Sequence, residues 1–175
     1  MYVDDFIGNI SSTHAFKSDS KVTLEYETRF PVCGGWQVDW NQGYNIPTKY
    51  HLKQSSQDTK NFRLSMPFMH NYETLFTENY ELQLVLPMGA TNIKVTVPFK
   101  VDDIDYTGKQ FNTLDVFGAP KITIKMKNVS ALLHNKDFEV SYTLESHWML
   151  LKAAVMACTV FVFYIFALVY SRIEL

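Results

Sequence analysis

The chain is poor in cysteine: its 175 residues carry only Cys33 and Cys158. Cys158 falls inside a long apolar run, which leaves Cys33 alone in the polar remainder. No intrachain disulfide framework can therefore staple the fold, and cysteine usage does not report the redox compartment. Net charge is also scarce. Sixteen basic against eighteen acidic side chains give -2, without the basic footprint that a nucleic-acid partner requires. His14, His51, His70, His134 and His147 are scattered, with no HExxH spacing and no cysteine companions, so they outline no metal site. Asp102, Asp103 and Asp105 lack the glycine and terminal glutamate of an EF-hand loop and read as a solvated turn. GxSxG, P-loop and Rossmann glycine patterns are missing too. The expectation is a chain with no catalytic residue, no metal and no cofactor of its own, which disfavours a membrane-tethered hydrolase.

What is present divides into two regimes. Residues 153–170, AAVMACTVFVFYIFALVY, hold no charge. At 1.5 Å per residue these eighteen positions reach roughly 27 Å, about the hydrocarbon thickness of an endoplasmic reticulum bilayer. A transmembrane helix is expected over 149–171, followed by a short tail at 172–175. Trp148 and Tyr170 flank it where amphipathic rings favour the interface, and Lys152 and Arg172 are placed to snorkel outward. Near its start Ala153 and Ala157 lie one turn apart, as do Ala154 and Cys158. Such small-xxx-small pairs let helix backbones approach closely in lipid.

Before the run, period-two alternation recurs. Val22, Leu24, Tyr26 and Phe30 form a first set, and Trp36, Val38 and Trp40 a second. Five more follow over 62–68, 82–86, 93–99, 122–126 and 138–144. Seven half-buried strands without a helical stretch predict an all-β domain, an antiparallel β-sandwich over 21–148, after a poorly defined segment at 1–20. The turn-rich link 87–92 is expected to join the fourth and fifth strands as a hairpin, and the polar stretch 53–61 to be an exposed loop. Residues 145–147 run straight into the span, so the domain should sit close to the membrane.

Orientation is open at this level. Asn9 and Asn128 each begin an N-x-Ser triplet, the acceptor pattern for N-glycosylation in a lumenal domain. The opening MYVDDFIGNI has neither the basic start nor the apolar core of a signal peptide. Read as a whole protein, this layout is a tail-anchored adaptor with a cytosolic β-sandwich binding module. Read as the C-terminal part of a longer protein, it is a lumenal domain on a type I anchor.

Residues 29–47, RFPVCGGWQVDWNQGYNIP, suggest a strand ending at Pro31, a Gly34-Gly35 bend, a Trp-rich strand and a second turn at Gly43-Tyr44-Asn45. On its own this is a rigid aromatic corner. The order Arg29-Phe30-Pro31, Gly34-Gly35-Trp36 and Gly43-Tyr44-Asn45-Ile46-Pro47 closely resembles the ribophorin I family, the Ost1-type non-catalytic subunits of the oligosaccharyltransferase complex. Two further blocks resemble family steps, Leu86-Pro87-Met88-Gly89-Ala90 and Leu114-Asp115-Val116-Phe117-Gly118-Ala119-Pro120. The likeness covers about 21–170. It implies a single-pass protein of the endoplasmic reticulum membrane with its N-terminal domain in the lumen, supporting N-linked glycosylation while another subunit does the chemistry. Implied partners are that catalytic subunit, small membrane subunits, nascent polypeptide, the translocon and membrane lipid. Cys33 stands where the family has an apolar residue, and the tail is shorter than in the long-tailed members.

Overall fold

The computed structural model describes residues 2–10, 13–17, 22–56, 58–69, 76–113, 115 and 117–173, with the backbone only at 13, 15, 17, 22, 24, 26 and 173. Of the residues named above, His70, Leu114 and Val116 lie outside the described residues, as does Ser11 of the first N-x-Ser triplet. The chain divides into two compact units, Met1–Pro47 and Thr48–Leu175.

The first unit holds β1 (Tyr2–Asp5), β2 (Thr13–Lys17), β3 (Val22–Tyr26) and β4 (Trp40–Gly43). They pair as two antiparallel ribbons, β1 with β4 and β2 with β3. Three local expectations need correction. The strand expected to run to Pro31 stops at Tyr26, and beyond it the Thr28 hydroxyl donates to the Phe30 carbonyl at 2.7 Å, a local bond that competes with a ladder. Residues 36–39 are not a strand; ladder pairing begins at Trp40, with β1. Gly43 is no turn residue. It lies in β4 opposite Tyr2, whose ring fills the space a Cβ would need. The stretch 1–20, for which no element is expected, supplies β1 and β2.

The second unit continues after a 3-10 turn (Thr48–Tyr50) with β5 (Leu52–Gln54), β6 (Asn61–Pro67), β7 (Phe76–Val85), β8 (Thr91–Thr96), β9 (Asp103–Gln110) and β10 (Ala119–Ser130). A single helical turn, α1 (Ala131–His134), leads to β11 (Asp137–Thr143) and the long α2 (His147–Ile173). The strands form two antiparallel sheets, ordered β7-β10-β9 and β5-β6-β11-β8. Alternation decides which side of each strand is buried. Ile122 and Ile124 of β10 and Phe138, Val140 and Tyr142 of β11 meet in one apolar core. Phe68 sits at its centre, 1% exposed, with Phe99, Tyr80 and Phe138 at ring distances of 4.8, 5.2 and 6.0 Å. Truncating such a ring to alanine typically costs about 3–5 kcal/mol.

The five alternating sets of this unit become β6, β7, β8, β10 and β11. The expected hairpin does not form: β7 pairs with β10 while β8 pairs with β11. A turn does close the link, with Ala90 N–H donating to Pro87 O at 3.1 Å. But Leu86, Met88 and Ala90 are buried in it, so the chain packs down and crosses from one sheet to the other. The acidic cluster is also not a turn. Asp103 and Asp105 lie on β9, an edge strand, where charge on the outward face is tolerated. Of the loop expected at 53–61, Lys53 and Gln54 belong to β5 and Asn61 to β6.

Candidate functional site

Two constellations gather the residues of the sequence blocks. In the first unit Arg29 is the organiser. Its Nε donates to Asp5 Oδ2 at 2.7 Å and its Nη2 to Asp5 Oδ1 at 3.3 Å, a two-pronged guanidinium–carboxylate pair. Nη2 also reaches the carbonyls of Gly8 and Asn9, at 3.3 and 3.1 Å. Asp5 Oδ1 in turn accepts from the backbone N–H groups of Ile7 and Gly8. The Arg29 hydrogen bond, helped by those N–H groups, lowers the Asp5 carboxyl to about 2. Arg29 thus ties the 5–9 loop to the segment after β3. Further along, Trp36 N–H donates to Cys33 O at 3.0 Å, and Gly35 takes φ +85° at the third position of that turn. This is the type II geometry for which glycine is suited, so the Gly34-Gly35 bend is present. Beside it lies an open cleft of about 300 Å³ lined by Asp5, Arg29, Phe30, Pro31, Trp36 and Trp40. The aromatic corner does not bury its rings: Phe30, Trp36 and Tyr44 are exposed, with Asn45 and Pro47 in the irregular stretch beyond β4.

The second constellation surrounds the start of α2. Residues 144–146 alone separate β11 from the helix, and Leu144 is buried. Trp148, in the first turn, lies directly over Gly89, and a Cβ on that glycine would collide with the indole. Gly89 also has φ +84°, so its backbone conformation and its contact both select glycine. Phe117 meets Trp148 edge-on, with ring centroids 5.7 Å apart. One turn on, Lys152 Nζ approaches Asp115 Oδ1 to 2.7 Å. That oxygen is buried, and among the described residues the ammonium is its counter-charge and no other donor reaches it. Oδ2 accepts from Asn112 N–H at 2.9 Å. Lys152 first and Asn112 second hold the Asp115 carboxyl below the ordinary carboxylate range. Leu86 N–H donates to Pro120 O at 2.9 Å, joining the two blocks directly. The result is a collar: residues 86–90, Asp115 and 117–120 grip the first two turns of α2, around a cleft of about 280 Å³. Lys152, expected to snorkel outward, directs its ammonium to Asp115.

Comparison with known proteins places this arrangement. The family model described as Ribophorin I matches residues 1–171. The chain belongs to the ribophorin I family. Among its relatives, "Dolichyl-diphosphooligosaccharide--protein glycosyltransferase subunit 1B" of Oryza sativa subsp. japonica is 30% identical over 177 residues, covering 100% of this chain and 36% of that protein. Subunit 1A of Arabidopsis thaliana is 34% identical over 176 residues, covering 100% and 28%. Subunit 1 of Caenorhabditis elegans is 28% identical over 175 residues, covering 99% and 29%. The chain thus spans about a third of the length of these ribophorin I relatives.

In this ribophorin I chain α2 is long and apolar enough over His147–Arg172 to cross a membrane. Trp148, Leu151 and Val155 are half-buried on the collar side. At about 100° per residue, Ala153 and Ala157 fall on roughly the opposite side of the helix, and Ala154 and Cys158 about a quarter turn from the collar. All four are exposed. The two acceptor asparagines differ in backbone setting. Asn9 is exposed, and its backbone carbonyl is taken by Arg29. Asn128 is exposed on β10 with φ +55°, a left-handed conformation that asparagine tolerates. Sequence reasoning missed Asp5 as the partner of Arg29, because no pattern marks it. Gly89, Asp115, Trp148 and Lys152 were all in view separately; what local spacing does not carry is that they meet.

Proposed function

We propose that this chain is the membrane-anchored part of a non-catalytic subunit of the endoplasmic reticulum oligosaccharyltransferase complex. It supports N-linked glycosylation of nascent proteins, with both β units lumenal and α2 as the single span. The second unit is, on this reading, an antiparallel β-sandwich whose two sheets close on the Phe68 core. Family membership over 1–171 carries the proposal. The relatives are by name subunits of a dolichyl-diphosphooligosaccharide–protein glycosyltransferase. The way the block residues are used favours a supporting rather than chemical role. Arg29 and Asp115 spend their charged groups holding a loop and a helix in place, and Gly89 gives the Trp148 ring its room. Expected partners are the catalytic subunit and small membrane subunits, with nascent polypeptide passing near the exposed aromatic corner of residues 30–44. Ala153, Ala154, Ala157 and Cys158 form the face offered to neighbouring helices.

Orientation is tested in sealed endoplasmic reticulum vesicles holding the full-length protein. Protease added outside should spare both β units, and peptide mapping should find an endoglycosidase-sensitive glycan on Asn9 or Asn128. Digestion of the β units from the cytosolic side would overturn the reading in favour of a tail-anchored adaptor.

A further inference from the structure

Exposed apolar side chains are common on any protein surface and, scattered singly, carry no message. Those beside the collar are not scattered. Phe111 and Phe117 are 59% and 54% exposed, and Met149 and Leu150, in the first turn of α2, are 64% and 69% exposed. Both phenylalanines are held rather than free. Phe117 stands edge-on to Trp148, and Phe111 lies over Gly118, close enough that a Cβ there would come within 2.9 Å of its ring. Asp115, between them in sequence, is locked to Lys152. The rings are therefore fixed at the height of the first helical turns. Trp148 and Lys152 are four positions apart, roughly 6 Å along the helix, and the charge-free run begins at the next residue.

We propose that Phe111 and Phe117 seat in the headgroup–acyl boundary of the bilayer that α2 crosses, so that the second unit rests on the membrane as well as being tethered to it. This rests on the reading of α2 as a span. Three observations favour a lipid surface as the occupant. The patch is continuous with the spanning helix. Its side chains are aromatic, the type that prefers the interface. Lys109 and Lys121, at the same end of β9 and β10, supply charge suited to anionic headgroups. The buried pair with Lys152 neutralises Asp115, the one carboxylate of this segment that would oppose such contact. The other exposed apolar residues of the unit make a control. Leu132 follows the far end of β10, eleven positions beyond Ala119 at Ser130, roughly 36 Å away along the strand.

The test uses the full-length chain with Cys33→Ser and Cys158→Ser, reconstituted in nanodiscs of phosphatidylcholine and phosphatidylserine. Single Phe111→Cys, Phe117→Cys, Leu132→Cys and Phe163→Cys variants carry a nitroxide label, with folding checked by circular dichroism. Accessibility to oxygen relative to a water-soluble nickel chelate should be high at 163, low at 132, and at 111 and 117 several-fold above 132. Labels at 111 and 117 as aqueous as 132, with 163 lipid-exposed, would overturn the inference alone. A label at 163 that is itself aqueous would overturn the spanning reading and the inference with it.

Discussion

Gly89 meets two demands at once, a positive φ and a Trp148 ring where a side chain would begin. Gly89→Ala should cost about 1–3 kcal/mol from backbone strain alone. It should also shift the fluorescence of Trp148, followed with Trp36 and Trp40 replaced by Phe, as the indole is pushed out. An unchanged denaturation midpoint would show that the collar does not depend on this contact. Asp5 and Arg29 make a second residue-scale case, with a definite sign. The folded carboxyl lies near 2 against an ordinary 3.8, so the pair stabilises the first unit above about pH 4 and that contribution is lost as pH falls toward 2. In Arg29→Gln the Asp5 carboxyl, followed by carbon NMR, should titrate close to its ordinary value, and the 5–9 loop should loosen. A titration still near 2 would mean that the Ile7 and Gly8 N–H groups suffice without the guanidinium.

Among the elements, strands with strict alternation were legible: β6, β7, β8, β10 and β11 all stand where the apolar side chains recur. Local patterning reports which face of a strand is buried, and it is silent on which strand lies beside it. Hence the 87–92 turn was readable and its consequence was not, because the partners of β7 and β8 lie 36 to 54 positions away, from Lys121 opposite Val85 to Ser130 opposite Phe76. β9 was hidden by its aspartates, which depress strand propensity yet suit an edge. β4 was mistaken by four residues because Trp36 and Val38 alternate like a strand without a neighbour to pair with. The helix was legible in full, His147–Ile173 against an expected 149–171. What it touches was not, since the Lys152–Asp115 pair spans 37 residues of chain. The collar leaves the Ala153–Ala157 side of α2 for neighbours. Ala157→Leu should therefore shift the chain out of its high-mass species on a native gel in digitonin while the thermal unfolding of the β units stays unchanged. An intact high-mass species would remove this face from the account.

At the scale of the whole molecule, the sheets of the second unit and α2 are not separate devices. β11 passes into α2 through three residues, and the two sequence blocks of the second unit converge on the helix start, so tilt or movement of the span is transmitted to the sheets. On the proposed reading, that coupling would hold a lumenal surface at a set height and angle beside a membrane-embedded catalytic partner. The most direct measurement is the activity that travels with the chain. The full-length protein, tagged at its C-terminus and isolated from endoplasmic reticulum membranes in digitonin, should bring with it transfer of lipid-linked oligosaccharide to an Asn-x-Thr acceptor peptide. Isolation of the folded chain in a species without that transfer activity, while the activity stays behind in the unbound fraction, would contradict the account.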